Sequence, residues 1–413
     1  MEEEIIIVGA GIGGLTLARA LEQKGINFQL YEQADSFEAL GYGIQVSPNM
    51  VRVLRELGLE QQLEEVSHLC LGFELRSFNS NKVLATWQLD NDTPYYQCRR
   101  ADLHSLVFNS IQDKSRIHFS RRLESYEEKD NQLLLYWHNL PSTTAKALVA
   151  ADGVRSVVRG SLFNPVAHEE SPQYRAASLF SKHQAQYAGY AAYRAILPFQ
   201  DKYLPLWGKA TVWMGKNHHV VVYPNGNEQN STSWLNLVLV VKDKNWNPQG
   251  WTIPADKKAV ARDFANQSEE LNEILEDMVV SPEPCFKWGL FIHKPLPYWS
   301  RGKVTLLGDA AHPMLPFQAQ GAAMAIEDAY VLAKYLASEK DIEKAFIDYQ
   351  QARIKRTTKV QQVSRNNANI FHASGVKAAI RNFVLGVVSM TVPSLLNKKT
   401  AWIYDFDVKT AVS

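Results

Sequence analysis

The sequence predicts an α/β protein in which a nucleotide-binding core is interleaved with β-rich segments and completed by C-terminal helices. Three observations carry this expectation. The chain opens on a β-branched run, a glycine-rich turn and an amphipathic stretch; its middle is dense in aromatic strands; and from Asp341 onward its pattern is helical.

Ile5-Ile6-Ile7-Val8 is uninterruptedly apolar, as a parallel strand buried on both faces must be. After Gly9-Ala10-Gly11-Ile12-Gly13-Gly14, residues Leu15, Ala18 and Leu21 share one helical face, and Gly25 ends the helix. Phe28 to Tyr31 makes the second strand, with Glu32 at its carboxyl end. Ser47 as N-cap, Pro48 in the first turn, Val51, Leu54 and Leu57 inward and Gly58 as stop define the next helix. From about Leu71 to Gln97, and again from about Tyr187 to Val241, the chain reads as strands, among them Thr211–Met214 and His219–Tyr223. Trp246 to Asp256 reads as a loop. Val304 to Leu307 is a short buried strand, followed by a helix from about Gly321 to Ser338 and further helices to Asn397.

The 413 residues suggest two or three structural units, and 46% hydrophobic with 21% charged residues excludes disorder as the main state. A net charge of +1 argues against a nucleic-acid footprint and for a small partner. Cys70, Cys98 and Cys285 lack the number and spacing for a disulfide framework or a zinc ribbon. His218, His219 and His312 fit no common ligand spacing, so no metal site is expected. The acidic start running straight into a strand suggests no signal peptide, and a cytoplasmic setting is the expectation. Ile380 to Leu396 is apolar but interrupted by Arg381, Asn382 and Pro393, and is expected as a packed helix rather than a membrane span.

Gly9, Gly11 and Gly14 form G-x-G-x-x-G. Such a turn permits close backbone approach to a pyrophosphate, and the helix N-terminus supplies unpaired N–H groups. Glu32, 18 residues after Gly14, stands where a carboxylate accepts hydrogen bonds from a ribose diol. A Rossmann-like dinucleotide unit follows from this set, without distinguishing NAD from FAD. A second strand ends in Gly308-Asp309, placing a carboxylate at the sheet edge where ligands of open α/β folds bind. Gly321 and Ala322 open a helix whose positive end points at the same crevice.

The run Gly308-Asp309-Ala310-Ala311-His312-Pro313, continuing through Pro316-Phe317-Gln318-Ala319-Gln320-Gly321 to Glu327-Asp328-Ala329, resembles the single-component FAD-dependent aromatic hydroxylases. This is the class A flavoprotein monooxygenase family of salicylate, hydroxybenzoate and 6-hydroxynicotinate hydroxylases. Ala151-Asp152-Gly153 resembles the family's middle motif, which implies a cofactor role for Asp152. Arg99-Arg100-Ala101-Asp102-Leu103 resembles its R-x-D-L segment and places Arg100 on the ribityl-phosphate side. Gly41-Tyr42-Gly43-Ile44-Gln45 resembles the loop beside the isoalloxazine, so Gly43 and Gln45 join the cofactor set. The implied division is an FAD-binding part in 1–70, 98–180 and 281–340, substrate-domain strands in 71–97, a β-rich substrate domain in 181–280 and a helical region in 341–413.

Tyr187 to Arg194 resembles a family strand that usually ends Trp-Arg; here Tyr193 replaces the Trp. Tyr193, Arg194, Pro316 and Phe317 are expected at the substrate pocket. At period two His219 and Tyr223 share one strand face, ~13 Å apart, while His218 points the other way. Their spacing resembles that of the 6-hydroxynicotinate branch and makes them the catalytic candidates. The implied function is NAD(P)H- and O2-dependent hydroxylation of a small aromatic or phenol-like substrate through a flavin C4a-hydroperoxide. With no second G-x-G-x-x-G, NAD(P)H would enter transiently. A flavoprotein dehydrogenase or oxidase, or a non-catalytic FAD-binding protein, stands as the alternative. No nucleic-acid partner is expected, and a homodimer is compatible with the sequence.

Overall fold

Ile5–Val8, buried at every position, lies at the heart of a six-stranded sheet. Its neighbours are Ala147–Ala150 and Phe28–Tyr31, both parallel, with Ile5 opposite Ala147 on one side and Phe28 on the other. Val304–Leu306 pairs in parallel with Ala147–Ala150, Ile117–His118 extends the other side, and only the edge strand Ser300–Arg301 is antiparallel. This computed structural model describes residues 4–412 apart from 38–40, 90–91, 164–184, 227–232, 247–251, 266–267 and 392–393. Helices Ile12–Gln23 and Gly321–Ser338 pack on each other beside this sheet, and their buried Leu15, Leu17, Ile326 and Val331 belong to one continuous core.

The second large element is an eight-stranded sheet. Its order runs Thr252–Pro254, Phe286–Ile292, Gln186–Pro198, Trp234–Lys242, His218–Asn225, Lys209–Gly215, Gly72–Ser77 and Val83–Gln88. One parallel pairing, Lys209–Gly215 on Gly72–Ser77, joins the two β-rich segments across more than a hundred residues of chain. Because side chains alternate along a strand, each strand serves two environments. Val220, Val222, Leu235, Leu237 and Leu239 face helices Lys257–Phe264 and Glu269–Val280 and pack on Phe264, Leu271 and Ile274. The intervening residues of the same strands face the nucleotide-binding unit. Full burial of each such aliphatic side chain contributes about 1.5–3 kcal/mol.

Several sequence expectations are corrected here. The segment at Gly43 is not a loop: Gly43–Val46 is a strand paired with Tyr96–Arg99. Ser47 has the extended backbone of an N-cap but makes no capping hydrogen bond; its hydroxyl accepts from Gln320 Nε2 at 2.9 Å. Thr252–Pro254, expected in a loop, is an edge strand, while 247–251 lie outside the described residues. Phe286–Ile292 carries the large sheet past the division expected at 280, and the division at 180 lies outside the described residues. The apolar C-terminal stretch is not fully packed. Helix Gly375–Thr391 docks on Val83–Gln88, with Ser389 bridging the Thr86 backbone, yet Val376 and Phe383 remain 76% and 73% exposed. Among the described residues, no helix is long and apolar enough to cross a membrane.

Candidate active site

The glycine-rich turn is built by close approach. A Cβ on Gly14 would sit 1.9 Å from the Gly9 carbonyl oxygen, and one on Gly9, at φ +103°, 2.4 Å from the Ala151 oxygen. Only bare backbone lets the strand Ile5–Val8, the helix Ile12–Gln23 and the Ala151 segment meet. Gly11 N-caps the helix without a side-chain cap, so the amides of the first turn stay available to a ligand. Gly11, Ile12 and Gly13 line a cavity of about 540 Å³. Glu32 does not line it. Its Oε2 accepts the Ala10 amide at 2.7 Å and its Oε1 the Ala34 amide at 2.9 Å, holding a carboxylate beside the turn.

Across the cavity stand Asp309, Gly321, Ala322 and, from the helix Arg100–Ser110, Arg100; Gly43 and Gln45 close one side. The surrounding protein raises the Asp309 carboxyl above its ordinary range, against the pull of His312, Arg100 and Arg159. Burial and the neighbouring Arg194 charge lower the Arg100 guanidinium. Asp152 behaves otherwise: its Oδ2 accepts the Val157 amide at 2.9 Å at the start of helix Val157–Phe163, behind Ala151 and Gly153, which do line the cavity.

The substrate-side expectations separate by strand parity. His219, Val221 and Tyr223 all reach the cavity from one face of His218–Asn225, whereas the His218 ring packs edge-on against Phe78, 4.1 Å between centroids. Ala192 and Arg194 likewise enter the cavity from Gln186–Pro198, and Pro316 and Phe317 complete that wall. Tyr193 does not. It points to the opposite face, where it meets Phe264 edge-on and Lys287 lies over its ring. The same alternation that places His219 and Tyr223 together sends Tyr193 away.

Burial, with His372 and His218 nearby, holds the His219 imidazole well below its usual value, so it is neutral at pH 7. Burial raises the Tyr223 phenol, with Arg194 only partly opposing, so it keeps its proton. Arg194 donates through Nη2 to the Gly43 carbonyl at 2.7 Å, tying the large sheet to the nucleotide-binding unit.

Beneath the site lies an ion cluster that sequence reading did not assemble. Arg353 pairs with Glu327 at 2.6 Å and Asp328 at 2.7 Å, all three side chains wholly enclosed. Asn49 Nδ2 donates to Glu327 at 2.7 Å and to Gln320 at 3.0 Å. Asp328 also receives the Gly308 amide and His312 Nε2. Glu327-Asp328 was visible within its motif; the two arginines that oppose it, Arg353 and Arg356, which pairs with Glu327 at 2.8 Å, lie on another helix. Trp288, Leu290 and Phe291, also unforeseen, line the cavity from a strand with no motif of its own.

A glycine cradle open to helix amides, an acidic side chain facing it and a cavity continuous with a histidine-bearing sheet define a flavin-type dinucleotide oxidoreductase. The residues present fit FAD: Gly11–Gly13 for the pyrophosphate and Asp309 for ribityl hydroxyls. The chain belongs to the FAD-binding domain family, whose match spans residues 2–364. It is 32% identical over 375 residues to 6-hydroxynicotinate 3-monooxygenase of Pseudomonas fluorescens, covering 88% of this chain and 90% of that one. It is 29% identical over 418 residues to 3-hydroxybenzoate 6-hydroxylase of Polaromonas naphthalenivorans, covering 98% and 96%. The fold matches a salicylate hydroxylase substrate complex with a TM-score of 0.80 at 22% identity, over 99% of this chain and 97% of that one. The protein is an FAD-dependent monooxygenase of the aromatic hydroxylase type, and these relatives give the dehydrogenase and non-catalytic alternatives no support.

Proposed function

We propose that the protein hydroxylates a single-ring aromatic bearing a hydroxyl group, with O2 as second substrate and the ring held between His219 and Tyr223. One observation carries the reading: both side chains leave the same strand face into the cavity that Gly11 and Asp309 also line. The names of the relatives, hydroxylated pyridine and benzoate monooxygenases, support that ring class. FAD, when bound, takes electrons from NAD(P)H and delivers one oxygen atom from O2 to the ring.

Everything else falls to the chain's own groups. The amides at Gly11–Gly13 hold phosphate oxygens, Asp309 accepts ribityl hydroxyls, and the N-terminus of Gly321–Ser338 favours negative charge where it faces the cavity. His219, neutral at pH 7, accepts the proton of the substrate hydroxyl and makes the ring more electron-rich. Tyr223 keeps its proton and donates a hydrogen bond that orients the ring. Val238, Val240, Leu315 and Phe317 keep water from the reacting centre. A cytoplasmic setting, where NAD(P)H is supplied and three buried thiols stay reduced, accords with this reading.

The test mixes the FAD-loaded protein with NADH or NADPH, isotopically heavy O2 and a panel of 6-hydroxynicotinate, 3-hydroxybenzoate and salicylate. At least one ring compound should accelerate NAD(P)H oxidation and emerge with one heavy oxygen. Oxidation of a ring compound without label would overturn the hydroxylase reading, as would a complete lack of stimulation by hydroxylated rings.

A further inference from the structure

The His219 ring is 2% exposed, and its Nδ1 lies 2.7 Å from Nε2 of His372. The rings stand 4.9 Å apart at 41°, enclosed by Phe317 and Phe371 on the His219 side and by Tyr190 on the His372 side. His372 terminates the thirty-residue helix Ile342–Phe371, and its amide donates to the Ala368 carbonyl at 3.1 Å. With Nδ1 engaged, Nε2 is the His219 nitrogen left for the cavity. Beyond the pair, His372 Nδ1 is buried and has no hydrogen-bond partner among the described residues.

We infer that His372 is a positioning residue: it fixes the His219 ring with Nε2 toward the substrate and, through its own tautomer, sets whether that nitrogen accepts or donates. The inference rests on the proposed role of His219.

Two neutral imidazoles facing each other share one hydrogen between Nδ1 and Nε2, so one must donate and the other accept. Both are neutral at pH 7. Burial, followed by His218 and Lys242, lowers His372 to about 4, and burial likewise depresses His219. When His219 donates, its Nε2 carries a lone pair and serves as base. The substrate O–H bond then breaks, an Nε2–H bond forms, and the resulting imidazolium keeps its Nδ1–H on His372 Nε2 while the ring oxygen carries the negative charge. When His372 donates, His219 instead offers Nε2–H to an already ionised substrate. The charged or titratable groups around the pair are His218 on the same strand, Lys242 on the adjacent strand, the Tyr190 phenol, and Arg381, which donates to the Ile370 and Phe371 carbonyls.

The experiment compares His372→Phe, which keeps an aromatic ring in the enclosure, with His372→Gln, whose amide can accept or donate as the imidazole does. Each is measured as FAD-loaded protein, alone and combined with His219→Ala, using the panel compound that the wild type turns over fastest. His372→Phe should keep its FAD, lower kcat about tenfold and shift the acidic limb of the pH–rate profile; His372→Gln should recover most of the rate. Adding His372→Phe to His219→Ala should cost nothing further. A wild-type profile in His372→Phe, or losses that multiply in the double variant, would overturn the inference while leaving His219 in place. A His219→Ala variant that turns over as fast as the wild type would instead sink the reading of His219, and this inference with it. Imidazole nitrogen NMR of the wild-type holoprotein supplies a reading independent of any variant's folding. One coupled N–H···N pair is expected, whichever ring donates, and two unlinked histidines would refute the contact.

Discussion

Arg353 Nε donates to Asp328 Oδ1 over 2.7 Å in a region closed to solvent, and the other oxygen of the same carboxylate receives the Gly308 amide. One carboxylate therefore links the long C-terminal helix to the turn that presents Asp309. Burial alone would raise the Asp328 carboxyl, but His312 and Arg353 outweigh it and hold the group ionised.

Arg353→Met should therefore destabilise the protein strongly, by about 3–5 kcal/mol, because Asp328 would stay buried without its arginine and Glu327 would keep only Arg356. Urea unfolding of the FAD-loaded protein measures this. A loss below about 1 kcal/mol would show that the cluster relaxes or hydrates easily.

Asp309→Ala is expected to weaken FAD retention more than the fold. A lost charge-assisted hydrogen bond is worth ~1.5–3 kcal/mol, which corresponds to about one to two decades in affinity. Flavin released by acid precipitation should be FAD, held without a covalent bond. Normal retention together with a much lower melting temperature would make Asp309 structural.

His219→Ala should leave FAD content and slow background flavin reduction intact while cutting substrate-stimulated turnover by ~10²-fold. His218→Ala is the control, since that ring packs against Phe78 on the other side of the strand. Stopped-flow reduction with and without the ring compound separates the two. Equal losses would mean that the pocket is assigned to the wrong face.

Stability should fall as the medium is acidified below about pH 6.5. His372 sits at about 4 in the folded protein, below the ordinary value of ~6.5, so between those limits the unfolded chain binds the extra proton. The stability is whole above about pH 6.5 and declines toward about pH 4, with His372 alone accounting for up to roughly 3 kcal/mol. His372→Gln should flatten that slope in denaturant titrations at about pH 7 and about pH 5, and an unchanged slope would contradict it.

The turn that walls one end of the cavity was legible because its signals are local. The glycines, the strand before them and Gly308-Asp309 each declare themselves within a few residues. Which side chains of the large sheet enter the cavity was legible only where alternation was applied, at His219 and Tyr223 but not at Tyr193, where likeness to a family strand overrode parity. Arg353 and His372 were not legible. Each acts on a partner in another element, and a lone cation or imidazole on a helix carries no sign of what it will meet.

The helix Ile342–Phe371 is a spine fastened at intervals along its length. After Arg353 meets Asp328, Gln361 donates to the Pro313 carbonyl at 2.9 Å, Ser364 to the Leu315 carbonyl and Asn367 to the Phe317 carbonyl at 3.0 Å, before His372 reaches His219 at 2.7 Å. The wall that carries Leu315 and Phe317 and the imidazole pair thus share one mount, and a shift of that helix would carry both together.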